Sequence, residues 1–234
     1  MRDRIDGVLA VVKWPVVLIV VLLLPASAWA LWDLLVLAVR NLERLFPFVA
    51  GFLGYSACWY VLLRRPIFGA FLSTFEHELT HAIFAWLTLH RVTGFRATWR
   101  SGGRIRYMGR GNWLITISPY FFPTAAVAVM LAMIWVPQEH LLWVAAALGV
   151  SLAYHVTSTY QETHGEQTDL QSVGHLFSLM FLPTANVLAV GFILAFALGG
   201  ASGLTHFLEV LATHTQDVWR HVSTFLTSHG LIPA

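Results

Sequence analysis

Apolar runs of membrane-crossing length follow one another almost without interruption along these 234 residues. A helix needs about 20 mostly apolar residues to cross the hydrocarbon core of a bilayer. The segments 14–32, 46–63, 66–90, 112–136, 140–160 and 170–198 qualify. Pro119 and Pro123 interrupt the fourth, and Pro183 predicts a kink in the sixth. Between the third and fourth, the stretch "RVTGFRATWRSGGRIRYMGRG" (91–111) changes to alternating positions around a Ser-Gly-Gly turn, the pattern of a β-hairpin. Residues 204–229 are amphipathic and too polar to cross, which reads as a helix lying at the interface. The expected fold is an all-α polytopic membrane protein with about six transmembrane helices. It carries a short β-hairpin after the third helix and a C-terminal interfacial helix. Its organisation follows as N-terminal spans over 1–65, a membrane core over 66–200 that includes hairpin 91–111, and a tail over 201–234.

Composition agrees with the lipid bilayer as solvent. Hydrophobic residues make up 57% of the chain and charged residues 11%, against about a quarter charged in soluble domains. The net charge of +2 comes mostly from arginines in short loops, which suggests membrane orientation and not nucleic-acid binding. With the hairpin in the cytoplasm, Arg40 and Arg44 join its six arginines there, while Arg2, Arg4, Lys13, Arg64 and Arg65 fall opposite. Arg2, Arg4 and Lys13 also precede an apolar centre and "ASAWA", so residues 1–30 fit a cleaved signal sequence as well as a first span. The apolar run resumes at once with "LLVLAV", which favours the span. Cys58 is the only cysteine, so any metal must be held by His, Asp or Glu.

Chemistry enters at "STFEHELTHAIFAWLTLH" (73–90), where Glu76, His77, Glu78 and His81 interrupt the third span. Ionisable groups inside a span are expensive and mark function by default. The bland alternative is a hydrogen-bonded contact between helices. His77 and His81 are four residues apart, on one helix face, and can reach one zinc ion. Glu78 sits about 100° round the helix, beside the metal, where it can take a proton from water. Glu76 reads as a hydrogen-bonding group between helices. A third ligand must be a carboxylate or another histidine. Asp169 is the only aspartate between the motif and the tail, and His155, Glu162 and His164 are its rivals. His155 is equally explained as a polar contact in a bundle, Glu162 and His164 as solvated loop, and Asp169 as a carboxylate at a helix start. Asn112 and Asn186 fit either substrate binding or helix-to-helix hydrogen bonds.

A His-Glu-x-x-His motif in a membrane helix, followed by a β-hairpin and a further span, resembles the site-2 protease family of intramembrane zinc metalloproteases. The resemblance covers residues 66–185. It implies one Zn2+ per chain bound by His77, His81 and an aspartate from a later helix, with Glu78 as the catalytic base. It further implies a hairpin (92–108) whose edge strand, with Ile105 and Tyr107, meets a transmembrane or membrane-associated protein substrate. The family's aspartate usually stands in Leu-Asp-Gly or Pro-Asp-Gly, whereas here Thr168-Asp169-Leu170-Gln171 carries no glycine. If Asp169 opens the sixth span, it lies about 14 Å in depth from His81 at roughly 1.5 Å per residue. Residues 161–169 are therefore expected to dip into the bundle, or Asp169 to lie a turn or two inside the membrane. The expected setting is a multi-pass protein of the bacterial cytoplasmic membrane. No regulatory domain fits the length, so control falls to a regulatory partner or to the hairpin. Two alternatives stay open: a zinc protease with Glu162 as third ligand, and a non-proteolytic metal- or haem-binding transport protein using His77, His81 and His155.

Overall fold

The computed structural model describes residues 1–64, 70–99, 102–229 and 231. The first apolar run belongs to one helix, α1 (Arg2–Arg40), about 58 Å long at 1.5 Å per residue. Pro15 and Pro25 lie within it. Asn41 ends it, its side-chain amide donating to the Leu37 carbonyl at 2.8 Å. Helix α2 (Leu42–Cys58) follows and loosens into a π-helical turn, Trp59–Leu63. The motif helix is α3 (Ala70–Leu87); the start expected at Pro66 lies outside the described residues.

Strands β1 (Val92–Ala97) and β2 (Gly103–Tyr107) pair antiparallel with Phe95 opposite Ile105 and an irregularity between Val92 and Gly94. Arg100 and Ser101 of the expected turn lie outside the described residues. The broken fourth segment becomes α4 (Trp113–Ile117), a 3-10 turn, and α5 (Thr124–Ala132), with a 78° bend between the two parts. Then come α6 (Leu141–Glu162), the short α7 (Thr168–Val173) and α8 (His175–Ser228).

Among the described residues, four helices are long and apolar enough to cross a membrane: α1, α2 with its π turn, α6 with the turn before it, and α8. The bent α4–α5 pair makes a fifth if it counts as one span. Helix α3 is not among them, because two glutamates and two histidines dilute its apolar content.

The tail continues from the sixth apolar segment within one long helix that is bent at a glycine. Helix α8 breaks at Gly200, whose φ of 60° and ψ of −135° are open to glycine alone. Its two arms, 175–199 and 201–228, then run back to back. A Cβ on Gly203 would stand 2.0 Å from the Ala195 carbonyl oxygen, and one on Gly191 2.4 Å from the Phe207 ring. Phe207 is fully buried, and His214 Nε2 lies 2.8 Å from Asp33 Oδ2 on α1. Residues 204–229 are thus the second arm of a helical hairpin docked on the bundle. The polarity of the segment, taken alone, did not show that its small and aromatic positions match a partner helix.

The core joins Leu34 of α1, Phe48 of α2, Ala126 of α5, Leu148 of α6, and Ile193 and Phe207 of α8. Glycines bring α2 and α6 to backbone contact: a Cβ on Gly149 would stand 1.9 Å from the Phe48 oxygen, and one on Gly51 2.1 Å from the Ala146 oxygen. Small residues at such a seam allow close van der Waals packing where lipid offers no hydrophobic drive.

The charge partition also differs from expectation. Asp6 of α1 reaches His90 and Asn112 at 3.1 and 2.9 Å, and the Arg2 guanidinium lies beside Gly109. The N-terminal end of α1 therefore sits at the base of the hairpin, and Arg40 lies at the far end of the same long helix. Trp59 and Leu63 share a cavity with Ser73 and Gln161, which places the Arg64 end of α2 beside the start of α3. Arg2, Arg4, Lys13 and Arg64 thus group with the described hairpin arginines, while Arg40 and Arg44 stand apart; Arg65 and Arg100 lie outside the described residues.

Candidate metal centre

Helix α3 sets the His77 and His81 rings edge to face, with centroids 4.8 Å apart. Each ring is fixed through its Nδ1. That of His77 lies 2.7 Å from Glu162 Oε2, and the other Glu162 oxygen accepts the Ser73 hydroxyl. That of His81 lies 2.7 Å from the Ile115 carbonyl oxygen. A carbonyl can only accept, so His81 Nδ1 carries the proton and donates. Both Nε2 atoms turn to one oxygen of Asp169: His77 Nε2 at 3.5 Å and His81 Nε2 at 3.3 Å from Oδ2. Asp169 reaches them from α7, which follows an exposed turn beyond α6, and the Tyr120 hydroxyl donates to the same Oδ2 at 3.4 Å.

One donor atom from each of His77, His81 and Asp169 lies within 4.8 Å of the others. Neutral imidazoles fixed through Nδ1 aim two lone pairs and a carboxylate oxygen at one point, an arrangement that a cation relieves. Donors bound tetrahedrally at about 2.0–2.1 Å stand roughly 3.3–3.4 Å apart, close to the two Nε2–Oδ2 separations. Histidines that bind metal commonly engage their other nitrogen with a carboxylate or carbonyl, as both rings do here. The donor set fits zinc.

Glu78 stands outside this group and is 8% exposed. A Cβ on Gly103 would stand 2.3 Å from its Cγ. Among the described residues β2 pairs with β1 alone, which leaves its other edge unpaired. A cavity of about 600 Å³ joins the three donors and Glu78 to Gly103, Ile105 and Tyr107.

The remaining sequence candidates lie elsewhere or act differently. Asn112, expected to bind substrate, does not line this cavity. Its oxygen caps α4 at the Ile115 amide, 3.2 Å away, and its nitrogen donates to Asp6. Glu162 is no solvated loop residue but the end of α6 and the partner of His77. His155 lies beside a separate apolar cavity, with Nε2 3.2 Å from Asn186 Oδ1. It does not join His77 and His81. His164 is exposed and lies 3.2 Å from the Gln167 amide. Glu76 accepts the Ala125 amide and the Thr124 hydroxyl at the start of α5, a contact between helices. Asn186 donates to the Tyr120 and Leu182 carbonyls. Tyr120 and Ile115 escaped sequence reasoning, since a tyrosine and a backbone carbonyl in an apolar run carry no pattern.

Fold and site together define a membrane-embedded helical protein with a possible His-His-Asp metal site. The chain belongs to the peptidase M50B-like family, whose model matches residues 48–220, and so to the site-2 protease family that its motif and hairpin resemble. Members of the wider M50 family are membrane-embedded zinc metallopeptidases. No curated protein and no solved structure matches the chain.

Proposed function

We propose that the chain is an intramembrane zinc endopeptidase that hydrolyses peptide bonds of membrane-protein substrates. The observation that carries this reading is the convergence of His77, His81 and Asp169 beside Glu78, under the free edge of β2. A zinc ion held there supplies Lewis acidity to the scissile carbonyl and lowers the pKa of a water toward about 7. Glu78 takes the proton of the attacking water and passes it to the leaving amine. Glu162 and the Ile115 carbonyl hold the two imidazoles in register. A transmembrane substrate arrives with its backbone hydrogen bonds already made within its own helix. It must unwind to be cut, and β2 offers replacement partners along residues 103, 105 and 107 by strand addition.

The regrouped charges support a cytoplasmic position for the site, in a multi-pass protein of a bacterial cytoplasmic membrane. Arg2, Arg4, Lys13, Arg64 and the described hairpin arginines lie at one end of the bundle, and Arg40 and Arg44 at the other, the bias that retains loops in the cytoplasm. The test is elemental analysis of the purified chain beside proteolysis of a membrane-protein substrate. Stoichiometric zinc is expected, with cleavage lost in both His77→Ala and Glu78→Gln and zinc lost only in the first. Protein free of zinc that none can be added to would end the reading.

A further inference from the structure

Helix α1 precedes the family-matched residues 48–220, yet it touches the candidate centre through the short helix that bears Asp169. Helix α7 has six residues, too few to be stable by itself. It follows an exposed turn and ends at Gly174, where φ is 101°. Something outside must hold it.

Its two buried side chains, Leu170 and Val173, pack in one cluster with Val17 of α1, Tyr120 and Phe177. Its last carbonyl, Val173, has no partner within so short a helix and accepts the Lys13 ammonium at 2.6 Å. A cation at a helix C-terminus is favoured by the helix dipole, and Lys13 also lies 4.7 Å from the centre of the Phe177 ring. Asp169 stands four residues before Val173, about one turn, so a shift at the seat is passed to the carboxylate.

The same helix is fixed to the rest of the site. The Trp113 indole donates to the Leu9 carbonyl at 2.8 Å, while Asp6 binds the fully buried His90 and the α4 cap Asn112. These tie α1 to the segment whose Ile115 carbonyl holds His81.

We propose that Lys13 and Val17 of α1 are positioning residues that seat α7 and thereby hold Asp169 at the metal centre. This rests on the reading of Asp169 as a metal donor. Residues that orient a metal's ligands change affinity about 10–100-fold when removed, and a seat one turn away belongs at the lower end.

The experiment uses the full chain in detergent, with zinc(II) titrated against a competing chelator and hydrogen exchange followed on the metal-free protein. Lys13→Met is expected to weaken zinc binding about tenfold and to speed exchange at residues 168–173. The melting temperature and the exchange of α3 should stay as in the parent, and Lys13→Arg should restore affinity. Val17→Ala tests the apolar half of the seat and decides the matter if Lys13→Met does not fold. Asp169→Ala is the control. If it weakens zinc while Lys13→Met and Val17→Ala bind like the parent, the seat is wrong and the centre stands. If Asp169→Ala binds zinc like the parent, the donor reading itself fails. Faster exchange throughout the Lys13→Met protein would mean a general structural role and overturn the positioning claim.

Discussion

Glu162 Oε2 lies 2.7 Å from His77 Nδ1, across the ring from the nitrogen that faces Asp169. A carboxylate in that place fixes the tautomer and raises the basicity of the imidazole. Glu162→Gln keeps a hydrogen-bonding group but loses the charge. Zinc affinity is expected to fall about 10-fold, and up to 100-fold for Glu162→Ala. Competitive titration with a zinc chelator reads this directly, and parental affinity in both variants would exclude the role.

Glu78 is expected to act without binding metal. Glu78→Gln should retain zinc and the parental melting temperature while cleavage falls by about 10²–10⁴, the usual contribution of a general base. Zinc content and rate measured on one preparation decide it, and joint loss of both would make Glu78 a ligand instead.

Ile105 and Gly103 link that base to the edge strand. Ile105 of β2 lines the cavity that Glu78 lines, and Ile105→Pro removes a backbone donor from that strand. Cleavage of membrane substrates should drop at least tenfold, on the order of one lost hydrogen bond, with zinc retained. Gly103→Ala should do likewise, because its Cβ would stand 2.3 Å from Glu78 Cγ. Unchanged cleavage in both variants would remove the strand from the mechanism.

Metal removal should be reversible. Dialysis against a chelator is expected to abolish cleavage, and zinc(II) to restore it, while α1, α2, α6 and α8 keep their helicity by circular dichroism. Their helix-to-helix contacts lie away from the three donors. Irreversible loss of helicity on chelation would show instead that the ion holds the bundle together.

The helical hairpin in α8 should be intolerant of size. Gly203→Val sets side-chain atoms against the Ala195 backbone, where a Cβ already falls 2.0 Å from the oxygen. Overpacking of this kind costs about 1–3 kcal/mol, to be read as a lower thermal midpoint in detergent. An unchanged midpoint would mean that the arms separate freely.

The sequence by itself determined the solvent, the class of fold and half of the centre. Spans are legible because lipid demands long apolar runs, and the hairpin because a period of two differs from that of a helix. His77, Glu78 and His81 are legible because their geometry is local: residues one turn apart share a helix face wherever that helix goes. What joins distant segments was decided only by the tertiary structure. Asp169 is 88 residues from His81 in the chain, and nothing in its neighbours states that α7 returns to the motif helix. Glu162 looked like loop, and its engagement of His77 depends on where α6 ends beside α3. Asn112 fitted either substrate binding or a contact between helices, and only the fold shows that the α4 cap and Asp6 engage both ends of its amide. The polarity of the tail did not disclose the arm it packs on, since Gly191 meets Phe207 and Gly203 meets Ala195 only across the bend at Gly200. The charge partition failed for the same reason: α1 is one continuous helix, and its direction is set by contacts at the hairpin base, which no run of apolar residues encodes.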